Sequence, residues 1–155
     1  MSTGATYGAI LGTNPLYVQV VIPYPMTVSA ITGKTNTAAG TGQSIAAALY
    51  DAGGTQIINA HGRVVEPGAG TLTISFAAPV SLMAGTYYLG IASEDNTVSI
   101  LTSDLSATML NVAGAKRVAT GTGVTTGTGS TYAMPGLMGT TSAVDVAIPA
   151  LYLVR

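Results

Sequence analysis

His61 is the only histidine in the chain, and cysteine is absent. A lone imidazole can act as a general base, but a serine triad also needs a positioned nucleophile, and no Gly-x-Ser-x-Gly elbow occurs. Zinc takes three or four His, Cys or carboxylate ligands, which one histidine cannot anchor. His61 therefore reads as a strand residue beside Gly62. The acids are Asp51, Glu66, Glu94, Asp95, Asp104 and Asp145. Glycoside hydrolysis needs two of them facing each other, whereas Asp51 and Asp95 sit in turn contexts, where such side chains bond local backbone. Glu94-Asp95-Asn96 is the one cluster with enough oxygen for calcium, and it lacks the alternating acidic spacing of a loop site. Gly-x-Gly recurs at Gly40–Gly42, Gly68–Gly70, Gly121–Gly123 and Gly127–Gly129. None extends to the dinucleotide fingerprint and none joins a strand to a helix. These residues assign no catalytic group, no metal ligand and no cofactor, and the chain reads as a non-enzyme.

What remains is contact chemistry. Tyrosine is the dominant aromatic, with eight copies against one phenylalanine and no tryptophan. Its ring can be buried at an interface while its hydroxyl stays paired. In Tyr87-Tyr88 a strand must turn one ring inward and the other outward, so the outward ring is a candidate contact.

The composition points the same way. Charged residues make up 7% of the chain, against about 25% in an ordinary globular protein. Hydrophobic residues are 48%, mean hydropathy is +0.50, and this is the reverse of a disordered composition. Lys34, Arg63, Lys116, Arg117 and Arg155 are scattered and net charge is −1. Nucleic acid, which needs concentrated Lys and Arg, is not an expected partner. A membrane is not expected either. The best apolar stretch, Tyr17 to Ile31, is broken by Pro23 and Pro25 and carries Gln19, Thr27 and Ser29, whereas a spanning helix needs about 20 apolar residues. The strands are too short for a membrane barrel, and no basic segment precedes an apolar run as in a signal peptide. A chain showing so little charge is expected to bury its surface against protein partners.

The elements that must position these residues are strands. Tyr17–Ile22 is β-branched and apolar. Thr27–Thr32 alternates, with Val28 and Ala30 on one face and Ile31 out of phase. Ser44–Tyr50 runs into Asp51-Ala-Gly-Gly54 and then Gln56–Ala60, the signature of a hairpin. Gly62 to Glu66 continues the second strand past a bulge, and Glu66-Pro-Gly-Ala-Gly70 is the next turn. Thr71–Phe76 places Leu72, Ile74 and Phe76 together. Thr86–Ala92 and Thr97–Leu101 follow, and Val144–Val154 carries Pro149, which marks an edge or bent strand. Leu105–Val112 is the one modest helix candidate. About eight strands at this spacing predict an all-β fold, a jelly-roll-like antiparallel β-sandwich over residues 16–155. Residues 1–15 form an N-terminal arm, and residues 118–143 a long Gly/Thr-rich loop. Both need outside contacts to order them, at a cost on the order of 1–2 kcal/mol per residue. A neighbouring subunit is the expected supplier, with Tyr7, Ile10, Leu11, Tyr132, Met134, Leu137 and Met138 as anchors.

Leu49-Tyr-Asp-Ala-Gly-Gly-Thr-Gln-Ile57, followed by Pro79-Val-Ser-Leu-Met-Ala-Gly-Thr-Tyr-Tyr-Leu-Gly-Ile91, resembles a pattern of phage virion β-sandwich proteins. The resemblance covers roughly residues 27–101, and head decoration (cement) proteins are the most similar class. It implies a homotrimer on the outer surface of a phage capsid, clamping neighbouring major capsid proteins. No binding residue carries over from it. The alternative is a tail-fibre or receptor-binding component recognising host glycan. The absence of Trp and the short N-terminal arm weigh against that alternative.

Overall fold

The structure, a computed structural model, describes residues 6–9, 15–37, 44–63, 70–94, 98–103, 118–143, 148–149 and 151–155. Twelve strands run through them: β1 (Thr6–Ala9), β2 (Leu16–Ile22), β3 (Met26–Thr37), β4 (Ser44–Tyr50), β5 (Gln56–Arg63), β6 (Gly70–Leu82), β7 (Gly85–Ser93), β8 (Val98–Ser103), β9 (Val118–Gly121), β10 (Thr141–Ala143), β11 (Ile148–Pro149) and β12 (Leu151–Val154). The fold is an antiparallel β-sandwich, as its strand spacing predicts. One six-stranded sheet has the order β10-β9-β2-β7-β4-β5. The other follows β1-β8-β3-β12, with β6 on the far side of β3 and β11 on β8. The only helical turn among the described residues is a 3-10 turn at Gly129–Thr131, and no described helix is long and apolar enough to cross a membrane. Leu105–Val112, the helix candidate, lies outside the described residues, as does the Glu66 turn.

Alternation builds the core. In β6, Leu72, Ile74 and Phe76 are buried between exposed Thr71, Thr73 and Ser75. Across the sandwich they meet Ile45, Ala47 and Leu49 of β4 and Leu89 and Ile91 of β7, in one cluster with Val18, Val28, Ile31 and Leu151. Ile31 breaks phase where the pairing of β3 with β6 is irregular. Val28 faces Val80 and Ala30 faces Ser75, so Ser29 alone stands opposite Phe76–Pro79. β6 thus carries three extra residues at this point, and Val28 and Ile31 of β3 both join the core. Pro149, which cannot donate to a ladder, divides the last run: Ile148–Pro149 pairs with β8 and Leu151–Val154 with β3.

The hairpin of β4 and β5 forms as its turn residues dictate. Asp51 Oδ1 accepts from Gly53 N and Thr55 N, both at 2.9 Å, which closes the turn with its own side chain. The bulge on this hairpin lies next to the turn, where Tyr50 faces Gln56 and Leu49 faces Ile58. Part of the N-terminal arm is itself a strand, because Tyr7 of β1 pairs with Leu101 of β8.

Candidate interaction surface

Every residue of β4 is buried, on both faces. Its inward face meets the sandwich core. Its outward face belongs to a second cluster: Tyr17, Ala46, Ala48, Tyr50 and Ala92 of the sheet with Tyr132, Met134 and Met138 of the Gly/Thr-rich loop. The loop leaves the sheet after β9 and returns at β10, and between them residues 122–140 fold back over the sheet's outer face as a strap. The sheet offers a trough lined by small residues, Ala46, Ala48, Gly90 and Ala92, and the strap fills it. An ideal Cβ on Gly90 would stand 2.6 Å from Met134 Cε and 2.9 Å from the Tyr17 and Tyr50 rings.

Backbone bonds hold the strap at both ends. Gly123 N donates to Met138 O at 3.0 Å, and Thr126 and Ala133 exchange two bonds at 3.0 and 2.8 Å. Met138 N donates to Gly54 O and Gln56 N to Gly136 O, each at 2.9 Å. The glycines permit this closeness: a Cβ on Gly123 would lie 2.2 Å from Leu137 O, and Gly127 turns at φ +75°. Side chains finish the seam. Tyr50 Oη donates to Pro135 O at 2.6 Å, Asn59 Oδ1 accepts from Met134 N at 3.2 Å, and Glu94 Oε2 accepts from Gly129 N at 2.9 Å.

This corrects the expectation for the loop. Tyr132, Met134 and Met138 are 4%, 3% and 2% exposed within a single chain, so they have no surface left for a neighbouring subunit. The chain's own sheet supplies their contacts. Leu137, at 62% exposed, is the one expected loop anchor that still faces solvent. Tyr7 is placed by its backbone in β1, whereas Ile10 and Leu11 lie outside the described residues. Of the tyrosine pair, Tyr87 packs on the sandwich core, and Tyr88 is the outward ring, packed beside the strap cluster.

Burial sets the electrostatics under the strap. Burial pushes the Tyr17 hydroxyl up to about 12, the nearby Tyr50 hydroxyl drawing it back in part. Burial, and then the charge of Tyr17, raises Tyr50; burial likewise raises Tyr132. His61 Nε2 and Ser93 Oγ are buried without a hydrogen-bond partner, while Tyr17 Oη and Tyr132 Oη are met only by the loosely placed hydroxyls of Tyr50 and Thr125. Among the described residues no three His or carboxylate side chains gather into a metal-binding group. Asp95, Asp104 and Asp145 lie outside those residues.

The surface that composition alone did not reveal lies at one end of the sandwich. Ile22 of β2 pairs with Gly85 of β7, and Met26 of β3 with Leu82 of β6. The β2–β3 and β6–β7 turns are therefore neighbours. Together they expose Val21 (52%), Tyr24 (52%) and Met83 (69%), with Pro23, Pro25 and Ala84 also exposed among them. No charged residue occurs in Val20–Thr27 or Ser81–Thr86. Tyr87 Oη donates to Met83 O at 3.0 Å and fixes one turn from the strand beside it. The readable sign was the uncharged Pro-Tyr-Pro run, which serves here to expose a ring. No protein-family model matches the chain, and no curated protein matches it in sequence.

Proposed function

We propose that the protein is a virion structural subunit, a capsid decoration protein that stabilises a phage head by packing on major capsid protein, and that it acts by contact and not by catalysis. The observation that carries this reading is the charge-free apolar end formed by Val21, Tyr24 and Met83. Exposed large apolar side chains clustered on paired turns, without a charge among them, have the makeup of an interface centre, from which charged residues are depleted. The low overall charge and the resemblance at Leu49–Ile57 and Pro79–Ile91 support the same reading. Each contact stabilises a shell by apolar burial, roughly 25 cal/mol per Å² before association costs.

The test is co-sedimentation of the purified chain with shells that lack it, together with the shells' melting temperature. Binding that raises the melting temperature, and that drops at least tenfold in Tyr24→Asp and Met83→Asp, is the expected result. Failure to bind shells, with binding to host glycan instead, overturns it in favour of a receptor-binding role.

A further inference from the structure

Antiparallel sheets present unpaired N–H and C=O groups along their outermost strands, and proteins protect them by shortness, charge, proline or cover. Most outer strands here are protected. β1, β10 and β12 are four, three and four residues long. β5 carries His61 and Arg63, and the strap's backbone bonds it at Gln56. β6 is the exception. It is 13 residues long and carries no charge, and among the described strands β3 alone pairs with it. Its one proline, Pro79, falls in the bulged part, which leaves Gly70–Ser75 as a regular run. A Cβ placed on Gly70 would meet nothing within 4 Å.

That run is also self-complementary. Turned antiparallel on itself about Thr73, it sets Leu72 opposite Ile74, both core-facing, and Thr71 opposite Ser75, both solvent-facing. Thr73 would face its own copy. The pairing keeps apolar side chains in the core and hydroxyl side chains in water on both sides of the seam.

We propose that the free edge of β6 pairs with β6 of a second copy about a two-fold axis at Thr73, joining the two sheets into one continuous sheet. The partner is another copy of this chain, and the interface is closed, because the same strand serves on both sides. The inference extends the proposed assembly role by naming how copies join each other; docking on a shell is left to the other end.

The experiment uses the full chain and its variants Thr73→Lys, Thr73→Glu and Thr73→Ala. Self-association is read by sedimentation over a concentration series, and fold by circular dichroism and melting. Thr73 is exposed in the single chain, so all three variants should fold. The parent and Thr73→Ala should form dimers of similar affinity. Thr73→Lys and Thr73→Glu should each weaken the dimer at least tenfold, because like charges would face each other across the axis. Mixing the two charged variants should restore a heterodimer to within about threefold of the parent. A parent that stays monomeric at on the order of 100 μM overturns the proposal. So does an oligomer indifferent to Thr73→Lys, or a mixture that fails to pair. A chain that dimerises as described yet ignores shells overturns the decoration role alone. A monomeric parent that binds shells and loses them on Thr73→Lys overturns the self-pairing and assigns the edge to the shell.

Discussion

Tyr17 and Tyr50 meet edge to face, with ring centroids 5.4 Å apart and planes at 82°, but only one of the two hydroxyls makes a well-formed hydrogen bond. Tyr50 Oη donates to Pro135 O at 2.6 Å, while Tyr17 Oη is buried with nothing beyond the loose approach of the Tyr50 hydroxyl. An unpaired buried hydroxyl costs about 1–3 kcal/mol, and a satisfied one contributes about 1 kcal/mol net. The same chemical change at the two positions should therefore act in opposite directions. Tyr17→Phe is expected to leave stability unchanged or raise it by up to about 1 kcal/mol. Tyr50→Phe is expected to lower it by about 1 kcal/mol, the net worth of the lost bond, because Pro135 O still accepts from Gln56 Nε2 at 3.2 Å. Urea unfolding of the two variants side by side checks this, and equal losses would contradict it.

Gly90 lies beneath the strap, where a single methyl group has no room. Its Cβ would press on Met134 Cε at 2.6 Å and on both tyrosine rings at 2.9 Å. Over-packing a tight site costs about 1–3 kcal/mol. The nearest atom is Met134 Cε of the strap, so Gly90→Ala should raise proteolytic cleavage within residues 122–140 more than it lowers global stability. The control is Gly70→Ala, whose Cβ meets nothing within 4 Å. It should change neither cleavage nor stability by more than about 0.5 kcal/mol.

The sequence made much of the sandwich readable, and the reasons are local. Leu72, Ile74 and Phe76 alternate with exposed residues as their period requires, and Asp51 closes the turn that its position suggests. Ile31 is out of phase in the sequence where the β3–β6 register shifts, the extra residues lying on β6. The strap was misplaced for a physical reason. Composition shows that a Gly/Thr-rich segment needs a surface to order it, but not whose surface that is. The signal that could have decided lay elsewhere, in Ser-Ile-Ala-Ala-Ala-Leu-Tyr of β4. A strand apolar at every step is one covered on both faces, and among the described residues the strap supplies the second cover. The apolar end was less readable, because Pro23-Tyr24-Pro25 and Met83-Ala84 are far apart in sequence and meet only through the pairing of β2 with β7 and of β3 with β6.

Leu137 and Met138 are adjacent, yet one is 62% exposed and the other 2%. Met138 fills the trough beside Gly54. Met138→Ala should cost about 2–5 kcal/mol, as buried large-to-small changes do. Leu137→Ala should stay within about 0.5 kcal/mol. Thermal melts of the two variants read the difference directly. A large loss for Leu137→Ala in the isolated chain would mean that its side chain is covered, contrary to its exposure here.

The buried tyrosines also set an alkaline limit. A tyrosine hydroxyl in the unfolded chain ionises near pH 10, whereas Tyr17 in the folded chain holds its proton up to about 12. Between those values the unfolded chain loses a proton that the folded chain keeps, so stability must fall as pH rises. Below about pH 10 both states are protonated and this contribution is constant. Tyr50 and Tyr132, also raised by burial, add to the fall in the same direction. The urea midpoint should therefore be insensitive to these tyrosines at pH 7–9 and drop steeply above pH 10. Part of the tyrosinate absorbance should arrive only with unfolding. Tyr17→Phe should make the decline shallower. If every tyrosine titrated near pH 10 while the circular dichroism of the sandwich persisted, the strap would not be sealing the face beneath it.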